Sequence, residues 1–114
     1  MLMSVVDFKS LHWQNQNAVI EPILMAVLSE LTEPTDNRKV MLEVASRIGW
    51  LDRNLDYLPG AGKTVGNVLR RFARFRPGLA EHDGEEFTFV GKTMRRWMWR
   101  PQPKPSEAPY DPFA

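Results

Sequence analysis

The sequence contains no cysteine, only two histidines and no long uninterrupted apolar run. Without cysteine the chain can form neither a disulfide nor a thiolate metal site, and His12 and His82 lie far apart in sequence. No stretch approaches the roughly 18 to 20 apolar residues of a membrane span, and the N-terminus lacks the basic start of a leader peptide. We therefore expect a cytoplasmic protein with no metal, no cofactor and no membrane partner.

The residue combinations that support catalysis are also absent from the sequence. His82 stands beside Asp83, but no serine, second carboxylate or metal-ligand spacing completes a site around it. Glu85 and Glu86 are adjacent, so in a strand they point to opposite faces and cannot act as a pair. The sequence predicts no enzymatic activity.

A short run, Gly60-Ala61-Gly62-Lys63-Thr64, is similar to the end of a nucleotide-binding phosphate loop. A complete loop also needs a glycine at the position that Tyr57 occupies, and it follows a buried apolar strand. The segment before Tyr57 is too rich in charge for such a strand. The simpler interpretation is a turn at Pro59-Gly60 that leads into a helix with Thr64 as its N-cap.

At 114 residues, of which 43% are hydrophobic, the chain is long enough for one compact domain, predicted over 1–100. Apolar residues at three- and four-residue spacing predict three helices, over about 20–32, 36–48 and 64–75. Segment 51–57 is either a short helix or an ordered loop. Pro22 is placed in the first turn of the first helix, where proline is tolerated. Residues 4–16 have a weaker pattern, a strand or a helical turn that directs Trp13 to the core.

The C-terminal third of the chain favours β-structure. Alternating side chains predict three strands, over about 79–82, 86–90 and 93–99, with turns at Asp83-Gly84 and Gly91-Lys92. The predicted fold class is α+β, with three or four helices followed by a three-stranded antiparallel meander. The size of Trp97 and Trp99 favours burial in the core, although such side chains can also stack on bases. Residues 101–114 are predicted to form an extended proline-rich tail.

The formal net charge of +1 conceals an uneven distribution of charge. Residues 1–62 carry five basic and eight acidic side chains, whereas residues 63–104 carry ten basic and four acidic ones. On the helix predicted over 64–75, three- and four-residue spacing puts four polar side chains on one face: Asn67, Arg70, Arg71 and Arg74. Like charges at this spacing repel, which favours a polyanionic partner, although a solvated basic face without a partner has the same pattern.

From Lys39 to Arg100 the chain resembles the winged-helix branch of the helix-turn-helix DNA-binding superfamily. Segment 44–49 is similar to the second helix of that family, segment 64–72 to its recognition helix and segment 78–84 to its wing. The long connection between Gly49 and Thr64 then requires an inserted element, or a second helix at 51–57. The resemblance implies a winged-helix-like fold, with DNA contacts from the recognition helix through Thr64, Asn67, Arg70, Arg71 and Arg74.

The two turns of the predicted meander differ in charge. The first, between His82 and Glu86, is acidic and would repel phosphate. The second is basic, so we expect it to contact the nucleic-acid backbone through Lys92, Arg95 and Arg96.

Two functions remain open at this stage. The first is a DNA-binding regulator or accessory factor, in which the arginines contact phosphates and guanine while Asn67 hydrogen-bonds adenine of double-stranded DNA. The alternative is a protein-interaction module, an accessory subunit or a phage-type inhibitor, that docks the same basic face on an acidic partner in a larger complex. The acidic turn at 83–86 favours the alternative. The target sequence, the choice of DNA or RNA and the oligomeric state do not follow from the sequence.

Overall fold

The structure, a computed structural model, describes residues 3–89 and 92–103, with side chains described over 3–80 and 98–103. The helices and strands of this part of the chain follow one another in the order α1 (Val5–Lys9), α2 (Trp13–Ser29), β1 (Thr35–Asp36), α3 (Asn37–Ile48), α4 (Ala61–Phe75), β2 (Ala80–Phe89) and β3 (Lys92–Trp99). Within the described ranges, no helix combines the length and apolar character needed to cross a membrane.

The core lies between α2, α3 and α4. Each helix contributes apolar residues at three- and four-residue spacing, and each therefore buries one stripe of its surface. Trp50 and Trp99, both 1% exposed or less, are the largest fully buried side chains. Trp50 packs edge-on against Phe8 of α1, and its indole N–H donates to the carbonyl oxygen of Met3 at 2.7 Å. This contact ties the N-terminal segment to the domain.

Helix α2 begins seven residues before the predicted start at residue 20. The Nδ1 atom of His12 caps its first turn by accepting from the backbone N–H of Gln14 at 3.3 Å. The polar residues between Trp13 and Asn17 hide this part of the helix from an apolar pattern. Pro22 consequently lies in the helix interior and not in its first turn, so it leaves one backbone carbonyl without its usual intrahelical donor.

Helix α4 also begins earlier than predicted, and Thr64 is not its N-cap. The cap residue is Gly60, whose φ of 78° lies in the left-handed region and whose position offers no capping side chain. Thr64 lies one turn inside the helix at 8% exposure, and its hydroxyl donates to the carbonyl oxygen of Gly60 at 2.8 Å. The chain enters α4 through the left-handed conformation of Gly60, and the helix begins there without a side-chain cap.

The connection between α3 and α4 is an ordered loop, not a helix over 51–57. Gly49, with a φ of 87°, ends α3. An antiparallel bridge joins Leu51 to Tyr57, and the carboxylate of Asp52 accepts from the backbone N–H groups of Asn54 and Asp56 at 2.8 and 3.1 Å. The aspartate thereby closes a turn that competes with helical hydrogen bonding.

The predicted three-stranded meander, and with it the predicted winged-helix-like α+β fold class, is wrong. The segments predicted as strands 79–82 and 86–90 form one strand, β2, which pairs antiparallel with β3. The Asp83-Gly84 signal falls within β2, where the register shifts between His82 and Glu86, so it marks an irregularity and not a turn. The fold is mostly helical and ends in a two-stranded hairpin, to which the two-residue β1 adds a short edge. The turn predicted at Gly91-Lys92 begins outside the described residues.

The base of the hairpin is anchored to the helices. Trp99 is fully buried, which confirms its predicted place in the core, and its indole N–H donates to the Oδ1 atom of Asn37 at 2.8 Å. Beyond it, the backbone N–H of Gln102 donates to the carbonyl oxygen of Leu28 at 3.1 Å. The first residues of the predicted tail are therefore fixed to the domain, and residues 104–114 of that tail lie outside the described residues.

Candidate nucleic-acid interface

Helix α4 is divided into an apolar and a basic side. Its buried stripe faces the core and consists of Ala61, Val65, Val68, Leu69 and Phe72, together with Thr64. Its other side, called here the basic face, consists of Lys63, Asn67, Arg70, Arg71 and Arg74. All of these are exposed except Arg71, which is half-buried. The packing of the apolar stripe thus fixes the direction in which the basic side chains project.

The exposed arginines of the basic face differ in their pairing from other arginines that the structure describes. Among the described residues, no carboxylate forms an ion pair with Arg70 or Arg74. Arg76, two residues further along, does form one, because its guanidinium donates to Glu21 at 2.6 Å. Arg47 of α3 also pairs with two glutamates. As far as the described residues are concerned, the positive charge of Arg70 and Arg74 is therefore available to an external partner.

Arg71 has a different environment from its neighbours on the basic face. Its Nη2 atom donates to the Oε1 atom of Gln16 on α2 at 2.6 Å, and Gln16 in turn donates to the carbonyl oxygen of Phe8 at 3.2 Å. The Nε atom of Arg71 is enclosed and has no hydrogen-bond partner in the described part of the chain. Burial lowers the pKa of the Arg71 guanidinium. An anion that approaches the exposed part of the guanidinium would offset this desolvation.

A groove of about 470 Å³ lies beside the basic face, between the start of α2 and the end of α4. The described residues that line it are Trp13, Asn67, Arg70, Arg71, Arg74 and Phe75. None of these residues is acidic. Trp13 is 46% exposed and Phe75 is 66% exposed. The groove therefore combines three guanidinium groups, one amide and two accessible aromatic rings.

The structure brings together only part of the predicted site. Asn67, Arg70, Arg71 and Arg74 share one face, but Thr64 is turned into the protein and cannot contact a ligand from there. Lys92, Arg95 and Arg96 lie along β3, in a part of the chain whose side chains are not described. Their proposed contact with nucleic acid stays a prediction.

Four residues of the basic face or of the groove and its surroundings are not among the predicted site residues. Lys63 continues the four-residue spacing back from Asn67, so extending that pattern by one turn identifies it. Gln16, Trp13 and Phe75 give no comparable signal. Trp13 is predicted to enter the core, and only the early start of α2 brings it beside the arginines.

Other surface features are less suited to an anionic ligand. A second groove, of about 260 Å³ between α2 and α3, has Glu30 and Glu43 in its wall, and both pair with Arg47. Over the residues that the structure describes, no three histidine, aspartate or glutamate side chains cluster closely enough to hold a metal ion. The basic face of α4 is therefore the strongest candidate site.

Comparisons with known proteins give no match: no protein-family model, no curated protein and no solved structure is significantly similar to the chain. The resemblance to the winged-helix DNA-binding superfamily is neither supported nor opposed by this result.

Proposed function

We propose that the chain binds double-stranded DNA through the basic face of α4 and acts in the cytoplasm as a regulator or accessory factor, without catalysis. One observation supports this most directly: Arg70 and Arg74 project from a rigid helix without a carboxylate partner in the described region, while Arg76 and Arg47 are paired. Like charges on successive helical turns repel, and phosphates relieve that repulsion.

The dimensions of α4 suit the major groove of DNA. A major groove about 12 Å wide admits one α-helix. The basic side chains from Lys63 to Arg74 extend over about 16 Å of the length of α4, so several of them can contact DNA along the groove. The amide of Asn67 has the paired donor and acceptor that match the major-groove edge of adenine. Arg70 and Arg74 can each form a bidentate contact with guanine or with a phosphate.

The order of the elements gives secondary support to the proposal. Helix α4 follows α3 and precedes the hairpin, as the recognition helix does in the superfamily that the sequence resembles. We extend the proposal to the hairpin, where Lys92, Arg95 and Arg96 would contact the DNA backbone. The bridged loop at 51–57 departs from the short turn that the resemblance implies.

The proposal is tested by fluorescence anisotropy with a labelled duplex at low salt and an unlabelled competitor. We expect the double variant Arg70→Ala, Arg74→Ala to bind at least roughly tenfold more weakly, because each lost arginine contact costs about 1–3 kcal/mol. The matched control is Lys39→Ala, which removes an exposed charge from α3. Unchanged binding in the double variant, or no binding by the wild type, would refute the proposal.

The second candidate function is that of a protein-interaction module. The exposed Trp13 and Phe75 beside arginines favour it, since these residue types are enriched in protein interfaces. A pull-down from lysate with and without nuclease distinguishes the candidates. A protein partner that survives nuclease and is lost in the double variant would support an accessory subunit or a phage-type inhibitor.

A further inference from the structure

Trp13 and Phe75 are exposed at the groove that Arg70 and Arg74 also line, and neither arginine has an acidic partner among the described residues. They come from different helices, since Trp13 opens α2 and Phe75 closes α4. Large aromatic side chains usually contribute to the core, as Trp50 and Trp99 do here. The position of the two exposed rings therefore suggests contact with a ligand that the arginines also bind.

Duplex DNA alone gives these rings little to stack on. Within a duplex the face of each base is covered by the neighbouring base pairs, and only base edges are accessible in the grooves. Aromatic side chains beside cationic ones bind nucleic acid by stacking on bases that are unpaired. The chemistry of the groove thus fits phosphate together with an accessible base face.

We infer that the groove between Trp13 and Phe75 binds an unpaired nucleotide next to duplex DNA, such as the first nucleotide of a single-stranded overhang. Trp13 stacks on the base, and Arg70 and Arg74 contact the flanking phosphates. This inference rests on the proposed function and narrows its ligand from duplex DNA to a junction between double and single strand.

The groove is already organised for such a ligand. Gln16 holds the guanidinium of Arg71 across the gap between α2 and α4, so a cation is fixed at the wall of the groove. The ring of His12 lies 5.6 Å from that of Trp13, centroid to centroid, beside the groove. The volume of about 470 Å³ falls within the range of ligand pockets, about 300–1,000 Å³. The absence of an acidic lining residue among those described favours a nucleic-acid strand over a basic peptide.

The test compares three labelled DNAs of the same sequence: a blunt duplex, the duplex with a short thymidine overhang, and the single strand. Affinities are measured by anisotropy for the wild type, Trp13→Ala and Trp13→Phe. Leu42→Ala, which truncates an exposed apolar side chain on α3, is the control for general surface effects. Trp13 is almost half exposed, so we expect its variants to fold. Circular dichroism verifies that each variant does.

We expect the wild type to prefer the overhang to the blunt duplex by roughly 5- to 150-fold, the effect of one base stacked on one aromatic ring. Trp13→Ala should remove this preference, whereas Trp13→Phe should retain part of it. Equal binding of overhang and blunt duplex by the wild type, or an unchanged preference in Trp13→Ala, overturns the inference and leaves the proposed function intact. If none of the three DNAs binds, the proposed function itself fails.

Discussion

At the scale of single residues, the glycines of the run from Gly60 to Gly66 have structural roles. Gly60 adopts a φ of 78°, which other residues reach only with strain. A Cβ atom on Gly62 would lie 3.2 Å from Cδ2 of Tyr57, and one on Gly66 would lie 3.3 Å from Cε of Met41. The run that is similar to a phosphate loop is therefore a helix start packed closely against its neighbours.

Two alanine substitutions in this run should have different effects on stability. Gly60→Ala should destabilise the fold by about 1 kcal/mol or more, because alanine is strained at positive φ. Gly66→Ala should be neutral, or stabilising by up to about 1 kcal/mol, because alanine favours the helix and the terminal methyl of Met41 can shift. Urea denaturation of both variants measures the difference. A larger loss in Gly66→Ala than in Gly60→Ala would contradict this account of the glycines.

The phenol of Tyr57 should make stability sensitive to alkaline pH. Burial raises the pKa of Tyr57 above its ordinary value of 10.0, because the ionised form is poorly solvated beside α4. Its contribution is fully present below that ordinary value and is lost as pH rises through the higher pKa of the folded state. We expect Tyr57→Phe to lose less unfolding free energy than the wild type as pH rises above about 10. Parallel loss in both proteins would show that Tyr57 has no such role.

At the scale of secondary-structure elements, the sequence predicts helices well where their apolar stripe is regular. The stripes at Ile20–Leu28 and Val65–Phe72 belong to α2 and α4. Both predicted starts are too late in the chain. The helices begin after His12 and Gly60 because of capping and backbone conformation, which an apolar pattern does not contain. The prediction for the β-region is wrong for another reason. Asp83-Gly84 is a local turn signal, and the pairing of β2 with β3 overrides it.

The interior position of Pro22 leads to a prediction about α2. Pro22 is exposed within the helix, and an interior proline is less favourable than alanine by about 3 kcal/mol. We expect Pro22→Ala to stabilise the protein by about 1–3 kcal/mol, with part of the gain lost because the surrounding backbone has adapted to proline. Thermal and urea denaturation measure this change. Ala18→Pro, in the same helix, is the matched control and should destabilise strongly. Destabilisation by Pro22→Ala would show that α2 requires the proline.

At the scale of the whole molecule, part of the basic charge in the C-terminal half of the sequence lies on one surface, the basic face of α4 and the groove beside it. The basic residues of α4 can be predicted as one face because three- and four-residue spacing on a helix is a local rule. Their neighbours cannot: Gln16 and Trp13 meet the basic face only through the packing of α2 against α4, which brings together residues far apart in sequence. The α4 side of the interface can therefore be predicted from the sequence, whereas the α2 side depends on tertiary packing.

The salt dependence of DNA affinity tests the central claim, that the basic face of α4 binds phosphates, most directly. If the four cations of this face displace counterions, they should contribute about −3 to −4 to the slope of log affinity against log salt concentration. Loss of Arg70 and Arg74 together should make that slope shallower by about 2, whereas Lys39→Ala should leave it unchanged. A slope that is the same in wild type and double variant, or one that Lys39→Ala alters equally, would contradict the assignment of DNA binding to this face.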